Sequence, residues 1–105
     1  MRRVRHLVFV FTSFSLLLHA GQIYGTIRES GRGVGGAAIR ITINGKDYPA
    51  STAPDGGYRV VIPEPGRGEI QVTPRGRATA RAPIFSYANP VKFDFELSGN
   101  QLIQR

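Results

Sequence analysis

Side chains able to do chemistry near neutral pH are scarce in this sequence. Its two histidines, His6 and His19, both fall in an N-terminal segment set apart by composition, and it contains no cysteine. From Gly21 onward the usual general bases and nucleophiles are missing, so acid–base work would rest on carboxylates alone. Asp94 and Glu96 share parity with Lys92 on one extended stretch, which reads as a solvated strand face. Asp47, Asp55 and Glu64 belong to turns, where oxygen ligands can hold calcium. A calcium ion takes six or more oxygens, and these three are scattered; Asp55 reads more simply as bonding its own turn backbone. The expectation is a protein that is not an enzyme, with no catalytic residue, no metal and no cofactor.

The glycine-rich stretch Ser30-Gly31-Arg32-Gly33-Val34-Gly35-Gly36 raises the question of a phosphate cradle. Such a loop needs a helix opening directly after it, its N-terminus turned to the anion. The next residues, Ala37-Ala38-Ile39-Arg40-Ile41-Thr42-Ile43, alternate with period two instead, so the stretch reads as a connection. The remaining candidate is a basic and aromatic group, Arg75, Arg77 and Arg81 with Phe85 and Tyr87. On an extended segment the three arginines share parity and would project from one face. They are the candidate binding surface, for an anionic glycan or a partner protein. The alternative is an edge strand charged to discourage aggregation.

The elements that must position these residues are strands. Thr52-Ala53-Pro54-Asp55-Gly56-Gly57 is a turn cluster running into Tyr58-Arg59-Val60-Val61-Ile62, whose inward set is Tyr58, Val60 and Ile62. Before it, Asn44-Gly45 fits a two-residue type I′ hairpin turn. That turn sets Ile43 opposite Lys46, Ile41 opposite Tyr48, Ile39 opposite Ala50 and Ala37 opposite Thr52. Ile39, Ile41, Ile43, Tyr48 and Ala50 then face inward, and a slip of one residue would expose all three isoleucines. A first strand runs Gln22 to Arg28, with Ile23, Gly25 and Ile27 on one face; Gly25 inside it signals a bulge or a close backbone approach.

After the turn Pro63-Glu64-Pro65-Gly66, a strand over Glu69–Pro74 buries Ile70 and Val72. A weak strand comes next over Arg75–Pro83, and Ile84–Pro90 reads as a loop. The last strand turns Val91, Phe93, Phe95 and Leu97 inward, and Gly99–Arg105 reads as a tail. Helical spacing of apolar residues is absent from Gly21 onward. Six or seven short strands between Gly, Pro and Asn turns make an all-β, single antiparallel sandwich or small barrel.

The N-terminal segment is of another kind. Met1-Arg2-Arg3-Val4-Arg5-His6 is basic, Leu7–Leu18 is a 12-residue apolar run broken only by Thr12, Ser13 and Ser15, and Ala20 precedes Gly21. This is the pattern of a secretory signal peptide over residues 1–20, a helix too short for a membrane span of about 20 residues. An uncleaved anchor is the rival reading. Cleavage after Ala20 leaves 85 residues, a domain over 21–98 and the tail 99–105. Losing Arg2, Arg3 and Arg5 leaves eleven Lys and Arg against seven Asp and Glu, a net charge of +4. That surplus is ordinary for solubility and gives only screened attraction to anionic polysaccharide or lipid. Export sets nucleic acid aside as a partner. With no disulfide available, stability must come from the core.

Ile23-Tyr24-Gly25-Thr26-Ile27, the glycine-rich connection, Ala38-Ile39-Arg40-Ile41, Thr52 with Asp55-Gly56-Gly57-Tyr58, and Pro65-Gly66 before a strand together resemble the carboxypeptidase regulatory-like domain. The resemblance spans Gln22 to Leu97 and implies a transthyretin-like (prealbumin-like) β-sandwich of about seven strands. It further implies a bacterial, exported, non-catalytic module for folding support, display, or sugar or protein contact, and it carries no binding residues over. The stretch Arg75–Tyr87 departs from it, being more basic and longer. The related 5-hydroxyisourate hydrolases depend on histidines and a C-terminal Tyr-Arg-Gly-Ser; here the chain ends Gln101-Leu102-Ile103-Gln104-Arg105.

The expected function is therefore a non-enzymatic β-sandwich module, periplasmic, envelope-associated or secreted, that contacts an envelope protein or glycan. It would meet the membrane only through its signal peptide before cleavage. A structural subunit or accessory domain of a larger envelope assembly is the alternative, and a transthyretin-like hydrolase a more distant one.

Overall fold

The computed structural model describes Gly21 to Arg105, and the signal-peptide reading of residues 1–20 lies outside the described residues. The chain forms ten short strands: β1 Gly21–Glu29, β2 Arg32–Gly33, β3 Ala38–Ile43, β4 Lys46–Ser51 and β5 Gly57–Ile62, then β6 Gly66–Thr73, β7 Ala80–Ser86, β8 Val91–Lys92, β9 Phe95–Ser98 and β10 Gln101–Gln104. They make two facing sheets. One is antiparallel throughout, in the order β4-β3-β6-β7. The other is built around β1, which pairs with β2 and β5 on one side and with β8 and β9 on the other, while β10 closes the edge beyond β9.

The β3–β4 hairpin shows why register is well specified here. Asn44 and Gly45 both take positive φ, 52° and 79°, as a type I′ turn demands. Ile43 pairs with Lys46, Ile41 with Tyr48 and Ile39 with Ala50, so the three isoleucines are buried together. Tyr48 and Ala50 are half-buried and pack against the rim of the core. Ile70 and Val72 of β6 lie opposite Ile41 and Ile39, and Ile23, Ile27, Tyr58, Val60, Ile62, Phe93, Phe95 and Leu97 meet them from the other sheet. Period-two burial thus holds on both sides of the sandwich, as the alternation predicts.

Three departures have physical causes. First, the sandwich is not antiparallel throughout, because β8 and β9 run parallel to β1. The two are separate strands since the ladder breaks at Phe93–Asp94. There the Thr26 N–H donates to Asp94 Oδ1 (2.9 Å) in place of a backbone carbonyl, and the Thr26 hydroxyl reaches the same oxygen (3.2 Å). Gly25 lies against the break: a side chain on it would run into the Phe93 carbonyl, so the expected close backbone approach is real.

Second, Arg75–Thr79 is not strand. Pro74–Arg77 closes as a turn, with the Arg77 N–H donating to the Pro74 carbonyl (3.1 Å) and Gly76 at φ 67°. The strand starts at Ala80 and runs to Ser86, so Ile84–Ser86, expected as a loop, buries Ile84 and Ser86 in the core. Third, Gly99–Arg105 is not a free tail. Gly99 turns at φ 60° and the chain returns as β10, which buries Leu102.

The glycine-rich connection docks on one buried hydroxyl. Thr52 Oγ1 accepts from the Ala37 N–H (2.8 Å), and the Thr52 carbonyl accepts from the Gly36 N–H (3.0 Å). The N–H groups of Ser30, Val34 and Gly36 are spent on structure, on Glu96 and on the carbonyls of Ile27 and Thr52, in keeping with the loop's reading as a connection.

Candidate functional site

The five residues singled out in the sequence do not form one strip. Arg75 and Arg77 lie in the turn before β7, Arg81 lies within β7, and Phe85 and Tyr87 lie at its far end. From Arg81 to Phe85 is four residues of strand, about 13 Å. Two of the arginines are held by carboxylates. Arg77 grips Glu29 of the facing sheet with two parallel bonds of 2.8 Å, Nη1 to Oε1 and Nη2 to Oε2. That contact lowers the Glu29 carboxyl below its ordinary value and raises the guanidinium of Arg77. Arg81 meets Glu69 across β6–β7 at 3.2 Å. The guanidinium of Arg75 lies beside Gly36, where a Cβ would come within 2.8 Å of its Nη2.

What the fold does bring together is an aromatic corner. β6 and β7 run antiparallel, and Arg67 is the direct cross-strand partner of Phe85, both exposed. Phe85 is 38% exposed and Tyr87 56% exposed, the largest aromatic surface among the described residues. Their rings sit 4.9 Å apart, tilted by 52°, and Phe85 is braced from beneath by buried Phe93, edge-on at 5.0 Å. Phe93 in turn stacks near-parallel on Phe95 at 6.2 Å. The outermost rings are therefore tied through Phe93 to the core, which lowers the entropy lost when something packs on them. Pro65, the β6 residues Gly66 and Arg67, and Phe85, Ser86 and Tyr87 line an open cleft of about 340 Å³, at the small end of ligand-binding clefts.

The neighbouring turns are fixed by Glu64. Its Oε1 accepts from Asn44 Nδ2 (3.0 Å), its Oε2 accepts from the Tyr48 hydroxyl (2.9 Å), and Lys46 Nζ lies 3.4 Å from Oε2. Asn44 Nδ2 also donates to the Pro65 carbonyl (3.1 Å), joining the β3–β4 turn to the start of the cleft. The bond from Asn44, then that from Tyr48, and the contact with Lys46 hold the Glu64 carboxyl below its ordinary value. Burial, then the bond to Glu64, raises the Tyr48 phenol.

Arg67 was not among the residues singled out in the sequence. One signal for it exists there: Arg67, Glu69 and Gln71 share parity opposite buried Ile70 and Val72. Its pairing with Phe85 is visible only once β7 is known to reach Ser86. Elsewhere, Asp55 Oδ1 accepts from the Gly57 N–H (2.9 Å), the turn bond expected of it. Among the described residues no group of three or more Asp or Glu side chains gathers to hold a metal.

No protein-family model matches the sequence, and no curated protein matches it. Solved structures do. A 5-hydroxyisourate hydrolase of Klebsiella pneumoniae superposes with a TM-score of 0.64 at 11% identity, over 81% of this chain and 96% of that one. The fold is a transthyretin-like β-sandwich. A second structure with this likeness, a protein from Bacteroides uniformis described as carbohydrate-binding, gives a TM-score of 0.60 at 19% identity. It is matched over 72% of this chain, which spans 40% of that longer one. At such identities the likeness is one of fold. On the transthyretin-like frame, β5-β1-β9-β10 and β4-β3-β6-β7 are the two layers, and the aromatic corner lies at one end of the edge strand β7.

Proposed function

We propose that this chain is a non-catalytic, exported sugar-binding module of the carboxypeptidase regulatory-like type, working at a bacterial envelope. The observation that carries the reading is the corner itself: two exposed rings, tied to the core through Phe93, beside a cleft sized for a small ligand. A pyranose presents an apolar C–H face, and packing that face on a fixed ring removes apolar area from water at little entropic cost. Non-catalysis is supported by the sequence from Gly21 onward, which has neither histidine nor cysteine. Export is supported by the basic, apolar and small-residue order of residues 1–20. The test is binding of the purified protein to neutral and acidic envelope polysaccharides, with Tyr87→Ala as the comparison. Retention of at least one polysaccharide, lost in the variant, supports the reading; equal retention of both proteins, or none, overturns it.

One observation favours a second reading, a structural subunit or accessory domain of a larger assembly. The edge strand β10 has no proline and no charge, and Ile103 on it is 49% exposed, whereas the edge strands β4 and β7 carry Pro49 and Pro83. An edge with neither proline nor charge can take up a further strand where its contact with β7 of the facing sheet leaves it open. Under this reading, replacing Ile103 with Lys would abolish assembly, and Tyr87→Ala would not.

A further inference from the structure

We infer that the corner recognises a carboxylated sugar, a uronic acid residue of an acidic polysaccharide, with Arg67 as the group that reads the carboxylate. This rests on the sugar-binding reading and names the ligand class for the same cleft. Arg67 lines the cleft and stands across the strand pair from Phe85, and among the described residues its guanidinium has neither an ion-pair nor a hydrogen-bond partner. The cations nearer to it in the fold are engaged, Arg81 with Glu69 and Lys46 with Glu64.

The nearby acids are engaged too. Glu64 takes Asn44, Tyr48 and Lys46, while Glu69 takes Arg81 and Gln71. Neither is left to quench Arg67. The cleft thus combines ring faces with one planar, unneutralised guanidinium.

Those two features select differently. Rings accept the C–H face of any hexose and cannot tell an acid from a neutral sugar. A guanidinium offers a planar fork matched to carboxylate, and the pairing is stronger and more directional than a lysine's. A uronic acid carries both parts on one ring: a C–H face for Tyr87 and Phe85, and a carboxylate at C5 within reach of a side chain beside them. A phosphate would engage the guanidinium and leave the ring faces uncovered, and a polyacidic peptide offers them no flat C–H face. The pairing of Arg67 with Phe85 therefore favours the sugar.

The test uses protein purified from expression of the full-length sequence, titrated calorimetrically with oligogalacturonate and with the same oligomer after carboxyl reduction. Polyglutamate serves as an acidic control without sugar. The inference predicts that oligogalacturonate binds at least about tenfold more tightly than its reduced form. Arg67→Gln should erase that difference, bringing oligogalacturonate down to the level of its reduced form, and Arg67→Lys should restore part of it. Tyr87→Ala should weaken both. Equal binding of the acidic and reduced oligomers overturns the carboxylate assignment and leaves the sugar-binding reading standing. Polyglutamate binding as tight as oligogalacturonate overturns the choice of a sugar. Absence of binding to every saccharide tried, with all variants folded by circular dichroism, overturns both.

Discussion

The Tyr58 hydroxyl donates a buried hydrogen bond of 2.6 Å to the carbonyl of Phe93. Phe93 is where the parallel ladder between β1 and the C-terminal strands breaks: the Thr26 N–H is taken by Asp94, and the Phe93 carbonyl lies over Gly25 of β1. Tyr58 satisfies the carbonyl that the break would otherwise leave buried and unpaired. It also fixes the residue on which Phe85 rests, so the break and the corner are mechanically linked.

Tyr58→Phe should destabilise the fold by about 1–2 kcal/mol, the effect of removing the donor to a buried carbonyl. Urea unfolding near neutral pH measures it. Burial first, and the charge of Asp94 second, push the Tyr58 phenol above its ordinary 10.0. Above that value the unfolded chain releases a proton that the folded chain keeps, so the unfolded state binds fewer protons and stability falls as pH rises. The alkaline loss of stability should therefore be smaller in Tyr58→Phe than in the wild type.

Gly25→Ala should be far worse than its size suggests. The added Cβ has the Phe93 carbonyl in its path, and backbone on both sides must move. Overpacking typically costs about 1–3 kcal/mol, and a clash with backbone belongs at the upper end of that range. A thermal scan showing an unchanged midpoint would contradict the close approach described for Gly25 and Phe93.

Glu64 sets an acid limit. Its carboxyl is held below the ordinary 4.5, first by Asn44 and then by Tyr48. The stabilisation is present above 4.5 and is lost as pH falls through the lower folded-state value, because the unfolded state there binds the extra proton. Glu64→Gln should therefore flatten stability against pH in that acid window, with Glu29 supplying the remaining slope. Urea midpoints between about pH 2 and about pH 6 read the difference directly.

The two ends of the chain differ in how plainly the sequence wrote them. Asn44-Gly45 and three alternating isoleucines leave one acceptable register, so the β3–β4 hairpin is readable residue by residue. Val91, Phe93, Phe95 and Leu97 keep their alternation straight through the β8–β9 break, because Asp94 replaces a backbone acceptor without disturbing parity. Local pattern is silent on whether that strand meets β1 parallel or antiparallel, since partner choice is a long-range matter. Gln101–Gln104 offers one buried side chain, Leu102, too little period to read as strand. At the site, Phe85 and Tyr87 were legible as aromatics in a polar stretch. The arginines read beside them lie apart from the rings, because Pro74–Arg77 turns and sends Arg77 to Glu29.

Export has its own check. The full-length sequence expressed in a bacterium should yield a soluble product beginning at Gly21, 85 residues long, outside the cytoplasm. Intact-mass measurement decides it. A full-length chain recovered only with membranes would support the anchor reading instead.

The corner as the working surface of this protein is tested most directly by amide chemical shifts during an oligogalacturonate titration. The shifts should concentrate on Gly66–Gly68 and Phe85–Ala88, saturate, and disappear in Tyr87→Ala. Shifts confined to the opposite sheet, around Tyr24 and Arg59, or scattered over every exposed arginine without saturation, would contradict it.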